Sequence, residues 1–236
     1  MAQSYFIWNG VDSRGMGIIA RNPAPMIRPE ERVEHTVIPG LSGDLTELQG
    51  ENVYNSYIQT VEISVRGADQ VRRVFAWLRG SGYVTFSGAP HWRQPARVIG
   101  AVTLNKISRN MDHWAGSVQF YCQPLKERLY ELAQELTTPG TIVNHGDVES
   151  RPLILATPSS GAEEMAITVN GKTLAIAGVD GLRRIDCLTQ EITNEAQTAL
   201  YTVNSAGPFP VLRVGNNAVG GTGWSRLSIY KRERFL

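Results

Sequence analysis

The sequence is poor in cysteine, in long apolar runs and in excess charge of either sign, and each shortage removes a class of protein. Only Cys122 and Cys187 occur in 236 residues. Two thiols so far apart make no disulfide framework, and both are expected buried, one in each half, in a reducing compartment. No apolar run approaches the ~20 residues of a membrane-spanning helix, and no basic stretch followed by an apolar core opens the sequence. Asn-x-Ser/Thr acceptor sites are also missing. These absences lead to the expectation of a protein made and folded in a cytoplasm. The formal net charge of +1 supplies no global field that would draw the chain to nucleic acid. At this length the chain can bury a good core, as one large domain or two small ones.

Catalytic groupings are missing as well. His35, His91, His113 and His145 are dispersed, without the spacing or the Cys and carboxylate neighbours of a metal site. Gly171-Lys172-Thr173 ends like a phosphate-binding loop, yet Ala166 stands where the first glycine would be and strands flank the turn. The cluster Gly215, Gly220, Gly221 and Gly223 lacks the strand-to-helix setting of a dinucleotide site and is expected to be a turn between strands. No Gly-x-Ser-x-Gly elbow occurs. Glu30-Glu31 and Glu163-Glu164 are adjacent in sequence and so do not face one another across a substrate. No catalytic residue, cofactor or metal ligand is assigned.

Short β-rich runs with one helix make up what is present. Thr60 to Val65 alternates with period two, and Tyr83 to Phe86, Ala96 to Val102 and Ala115 to Tyr121 also read as strands. Between them Val71, Val74, Phe75 and Leu78 recur at helical spacing, which predicts a helix over 68–79 with these four toward the core and Gly80 and Gly82 as the stop. Leu129, Leu132, Ala133 and Leu136 suggest a second helix over 126–136. Thr137-Thr138-Pro139-Gly140 then marks the boundary between a first domain, 1–137, and a second, 138–236. Beyond it, turn signals at short intervals predict an all-β sandwich. Asn170-Gly171 joins strands 165–169 and 172–176 in a hairpin, and further strands are expected at 184–188, 211–214 and 226–230.

The first 47 residues have the composition of an assembly surface. Strand-like runs alternate with the proline arm from Asn22 to Pro29 and the loop Pro39-Gly40-Leu41-Ser42-Gly43. Proline arms are stiff and lose little entropy on docking. Trp224, in the glycine-rich stretch, is the one aromatic singled out for stacking on a sugar or a partner, with a plug at the end of the sandwich as the competing role.

Four ordered blocks give the chain a resemblance to a known family. They are Phe6-x-Trp8-Asn9-Gly10 with Gly17-Ile18, Pro39-Gly40 and Gly43-Asp44-Leu45; Trp77-Leu78-Arg79-Gly80-x-Gly82 with the strand to Ser87; Val118-x-Phe120-x-Cys122-x-Pro124; and Asn170-Gly171 with Ile185-Asp186-Cys187, Gly207-x-Phe209-Pro210 and the tail Lys231-Arg232-x-Arg234. The chain resembles the distal tail proteins of long-tailed, non-contractile bacteriophages, with Leu41 where the family usually has a polar residue. The resemblance implies a mainly β fold of two β-sandwich domains. The first is like the tail-tube protein, with one helix, and forms a ring, usually a hexamer; the second is galectin-like. It implies a non-enzymatic role at the virion tail tip. The partners implied are other copies of the chain, the major tail protein, the tail-tip hub, and possible tape-measure and receptor-binding proteins, with DNA passing through the lumen and no membrane. Residues from about 28 to 50, in particular Arg28, Pro29, Ile38, Pro39, Gly40, Leu41, Ser42, Gly43 and Asp44, are expected to make the contacts between copies or with an adjacent ring. The competing expectation is a carbohydrate-binding adhesion module working through Trp224.

Overall fold

The computed structural model describes residues 4–21 and 24–236; Asn22 and Pro23, which begin the proline arm, lie outside the described residues. The chain divides into two compact units, 1–129 and 130–235, each a β-sandwich with its own core.

The first unit contains β1 (Phe6–Trp8), β2 (Val11–Asp12), β3 (Ile18–Ala20), β4 (Val33–Val37), β5 (Asp44–Leu48), β6 (Tyr57–Arg66), α1 (Ala68–Trp77), β7 (Ser81–Phe86), β8 (Trp92–Ser108), β9 (Met111–Cys122) and β10 (Lys126–Arg128). Its main sheet runs β2-β1-β7-β8-β9-β6-β3, with β10 beside the start of β8. Asn9 and Gly10 both take positive φ, 50° and 81°, which gives the β1–β2 hairpin the twist of a tight turn. In β6, Val61, Ile63 and Val65 point to the core while Thr60 and Glu62 face out. The sheet is strongly curved. Three strand spacings separate β1 from β9, roughly 14 Å if flat. Yet the Phe6 and Trp8 rings lie 5.5 and 5.4 Å from Phe120. Part of the bend comes from β8, whose register with β9 slips between Ile99 and Thr103, as a bulge produces.

Helix α1 lies across this core with Val71, Val74 and Leu78 buried. Phe75, expected inside, is instead 41% exposed. The buried stripe is narrower than the four-residue pattern implied. Trp77 takes the aromatic role by stacking on Phe6 at 5.6 Å.

The second unit stacks two five-stranded sheets. One is β11 (Gln134–Leu136), β20 (Trp224–Tyr230), β13 (Leu153–Pro158), β16 (Arg183–Asp186) and β17 (Glu191–Asn194), in that spatial order; the other is β12 (Gly140–Asn144), β19 (Gly215–Thr222), β14 (Glu164–Val169), β15 (Lys172–Ala177) and β18 (Ser205–Ala206). Ile154, Ile185 and Leu227 from the first meet Ile167, Leu174 and Val219 from the second. Gly171-Lys172-Thr173 is the β14–β15 turn and the start of β15, with Asn170 and Gly171 at φ 49° and 78°. A strand, not a helix, follows, so no phosphate cradle forms there.

Three sequence expectations are corrected. The helix expected over 126–136 is two short strands, because each end is captured by a sheet: Glu127 pairs with Arg93, and Gln134 with Ile229. Tyr130 and Leu132, between them, are exposed. The strand expected over 211–214 is reduced to a single bridge between Leu212 and Ser150. The glycine cluster, expected as a turn, lies largely in strand β19. Gly221, at φ 126°, lies so close to β14 that a Cβ there would strike the Ala166 carbonyl. Gly221→Ala is therefore expected to cost about 1–3 kcal/mol, seen as a lower urea midpoint. Gly181→Ala, with open space around it, should be close to neutral.

Candidate assembly site

Strands β4 and β5 form a hairpin that pairs with no other strand among the described residues. Its root is fixed. The Arg32 amide donates to the Val53 carbonyl at 2.8 Å, the Asn55 amide to Glu30 at 2.8 Å, and Glu31 bridges Tyr54. Its tip is a turn in which the Leu41 amide donates to Ile38 at 3.1 Å. Pro39 and Gly40 occupy the centre, with Gly40 at φ 87°, the residue order of a type II turn.

A lone two-stranded hairpin is marginal in water, and this one shows apolar side chains to solvent. Val37 is 74% exposed, Leu48 64% and Leu41 58%, with Ile38 and Leu45 also exposed. Its ionisable side chains are mostly of one sign. Glu30, Glu31, Glu34, Asp44, Glu47 and Glu51 stand against Arg32 in this segment. Glu34 lies directly across from Glu47 in the ladder, an arrangement that repels. The Gln49 side chain donates to Glu34 at 3.3 Å and does not neutralise it. An apolar, acidic, half-supported hairpin of this kind is a candidate contact surface.

The expected contact residues divide into two groups. Ile38, Pro39, Gly40, Leu41, Ser42, Gly43 and Asp44 are all exposed at or beside the tip, and Arg28 is exposed near the root, 3.9 Å from Glu31. Pro29 is a correction: it is buried and anchors the arm to its own unit. Ala24 packs on the core of the first unit, and the Lys126 ammonium donates to the Ile27 carbonyl at 3.2 Å. The described part of the proline arm is therefore tied to its own unit at Ala24, Ile27 and Pro29, while Pro25, Met26 and Arg28 remain exposed.

Trp224 is a second correction. It is 8% exposed within the core of the second unit, and its indole N–H is buried with no partner. It has the plug role and offers no face to a sugar. Among the described residues no group of three His, Cys, Asp or Glu side chains could hold a metal ion. Cys122 and Cys187 are buried and free, one per unit, and burial pushes both thiols up to about 12.

Sequence reasoning passed over the outer face of α1. Arg72, Arg73 and Phe75 are exposed there, with Arg79 just beyond the helix end. None of the three arginines makes an ion pair. The Arg-Arg pair was a readable signal, but it lay beside a phenylalanine assigned to the core.

The chain has two tandem β-sandwiches, the first with one helix. A solved structure with this fold is that of the SPP1 Dit (gp 19.1) protein, described as a paradigm of the hub adsorption apparatus in phages infecting Gram-positive bacteria. It aligns with a TM-score of 0.79 at 17% identity, covering 100% of this chain and 100% of that one. At that identity the likeness establishes the fold. No family model matches the sequence, and no curated protein does.

Proposed function

We propose that this chain is a phage distal tail protein, a structural component that joins the tail tube to the tail tip. Copies close into a ring, six by the family resemblance, with the first unit forming the ring and the second a docking platform. Its neighbours are the major tail protein and the tail-tip hub. The observation that carries this reading is the end-to-end correspondence of fold with SPP1 Dit. The exposed hairpin at Val33–Leu48 supports it, because a cyclic assembly needs a patch on each copy that meets a different patch on the next. Near-neutral charge suits a conduit through which DNA passes without being held. The adhesion alternative loses its one named residue, since Trp224 is buried.

Native mass tests the proposal. The purified protein, or the protein co-expressed with tail-tip components, is expected several-fold heavier than the 26.0 kDa chain, with ring particles in negative stain. A monomer under both conditions that bound wall polysaccharide would overturn it.

A further inference from the structure

We propose that the acidic hairpin of one copy docks on the basic outer face of α1 in a neighbouring copy, Arg72 and Arg73 receiving the cross-strand carboxylates Glu34 and Glu47. This rests on the ring reading above and names the two patches that its interface would join. Glu34 and Glu47 are directly opposed on an exposed ladder and neither is within ion-pair distance of a cation. Like charges so placed weaken a hairpin that has little else to hold it. Arg72 and Arg73 are equally exposed, and although Asp69 lies one turn before them on the same face, neither is within ion-pair distance of an acid.

Shape and apolar surface agree with the charges. Alternation puts Thr36 and Leu45 on the same hairpin face as Glu34 and Glu47, two residues further along, roughly 7 Å. On the helix, Phe75 and Ala76 follow the arginine pair by about one turn, roughly 5 Å. An exposed leucine and an exposed phenylalanine therefore fall beside the ion pairs in register. The hairpin strands, five residues each, and the ten-residue helix have similar lengths, on the order of 15–17 Å. The occupant is a second copy of this chain: the hairpin supplies the opposite charge, the exposed apolar partner and the matching length, and no ion pair joins it to its own helix. Arg contacts of this kind suit carboxylate recognition, being planar and able to hold two oxygens at once.

Charge reversal and cross-linking test it together. R72E/R73E is expected to raise the concentration for half-assembly roughly hundredfold or more, as like-charge juxtaposition at an interface does. E34K/E47K should do the same, and the four changes in one chain should restore the ring. Separately, a chain carrying E47C and R72C, treated with a short bis-maleimide, should give a ladder of chain multiples on a denaturing gel. Each single-cysteine variant should give no ladder. The native thiols are buried and do not compete. Assembly of R72E/R73E at wild-type concentration would overturn the pairing. So would a cross-link confined to single chains, or failure of rescue together with no ladder while the wild type still forms rings; the ring reading would survive those results. A wild type that is monomeric at every concentration, alone and with tail-tip components, would remove the ring reading itself.

Discussion

Replacing Val33–Leu48 with a Gly-Gly turn is expected to leave a folded protein that no longer assembles. The excision is clean because the Gln49 amide donates to the Arg32 carbonyl at 3.0 Å, so the two ends are already neighbours. The root bonds to Val53 and Asn55 are kept. No hairpin residue belongs to the core of either unit, so thermal or urea stability should change by no more than about 0.5 kcal/mol, the range of surface changes. Assembly should respond in the opposite way. In a closed ring every interface is the same, and a patch deleted from one copy is deleted from all of them. Native mass should fall to that of a single chain at concentrations where the wild type is a ring, and circular dichroism should remain that of a β protein. A ring of normal mass would show that the contacts lie elsewhere on the first unit.

This separation of stability from assembly explains which parts of the fold could be read from sequence. Residues that fill a core carry a period. Val61, Ile63 and Val65 announced β6, and the Asn170-Gly171 turn announced the β14–β15 hairpin, because alternation and positive φ are local properties. The tip of the β4–β5 hairpin was legible for the same reason, through Pro39 and Gly40. What failed depended on distant chain. Leu129 to Leu136 carries a helical spacing, but β8 and β20 offer unpaired edges to its two ends, and ladder bonds prevail over a weak local preference. Gly215–Thr222 has few strand-forming residues, and its glycines make sense only once β14 is seen pressing against Gly221. Trp224 illustrates the limit for sites, since a tryptophan among glycines has the same local sequence whether it plugs a sandwich or faces solvent. Glu34 and Glu47 are thirteen residues apart, and only the ladder register puts them opposite each other. Their significance could not be seen without it.

The second unit has its own electrostatic keystone, and its loss is expected to rank with core truncations there. Asp186 ends β16 with its side chain 7% exposed. Arg232 holds both carboxylate oxygens, at 2.6 and 2.9 Å, Arg184 adds a contact at 3.2 Å, and the Leu188 amide donates at 3.1 Å. Burial alone would push this carboxyl up. The Arg232 hydrogen bonds and charge, with the Leu188 and Thr189 amides, outweigh it and hold the group at about 2. Asp186→Ala leaves the Arg232 guanidinium without its main partner, a change that costs about 3–5 kcal/mol for a fully buried pair. Arg232 keeps 29% exposure, so about 3 kcal/mol is expected at pH 7, read from urea unfolding of the second unit. The pH dependence has a fixed sign. The folded group titrates below the unfolded one, so the unfolded chain takes up the proton first. The stabilisation is complete above the ordinary aspartate range near 4 and is lost as pH falls toward 2. That linked part amounts to about 2 kcal/mol at most, reduced by the partial solvation of Arg232. Glu233, held low despite its burial by the His145 amide and Lys231, loses stability in the same direction; Glu131, pushed up by burial, acts in the opposite sense at higher pH. Comparing wild type with Asp186→Ala cancels both of those. The gap between the two proteins should therefore narrow on going from pH 7 to pH 2, and a gap that stayed constant would show that the pair contributes through packing and not through its charge.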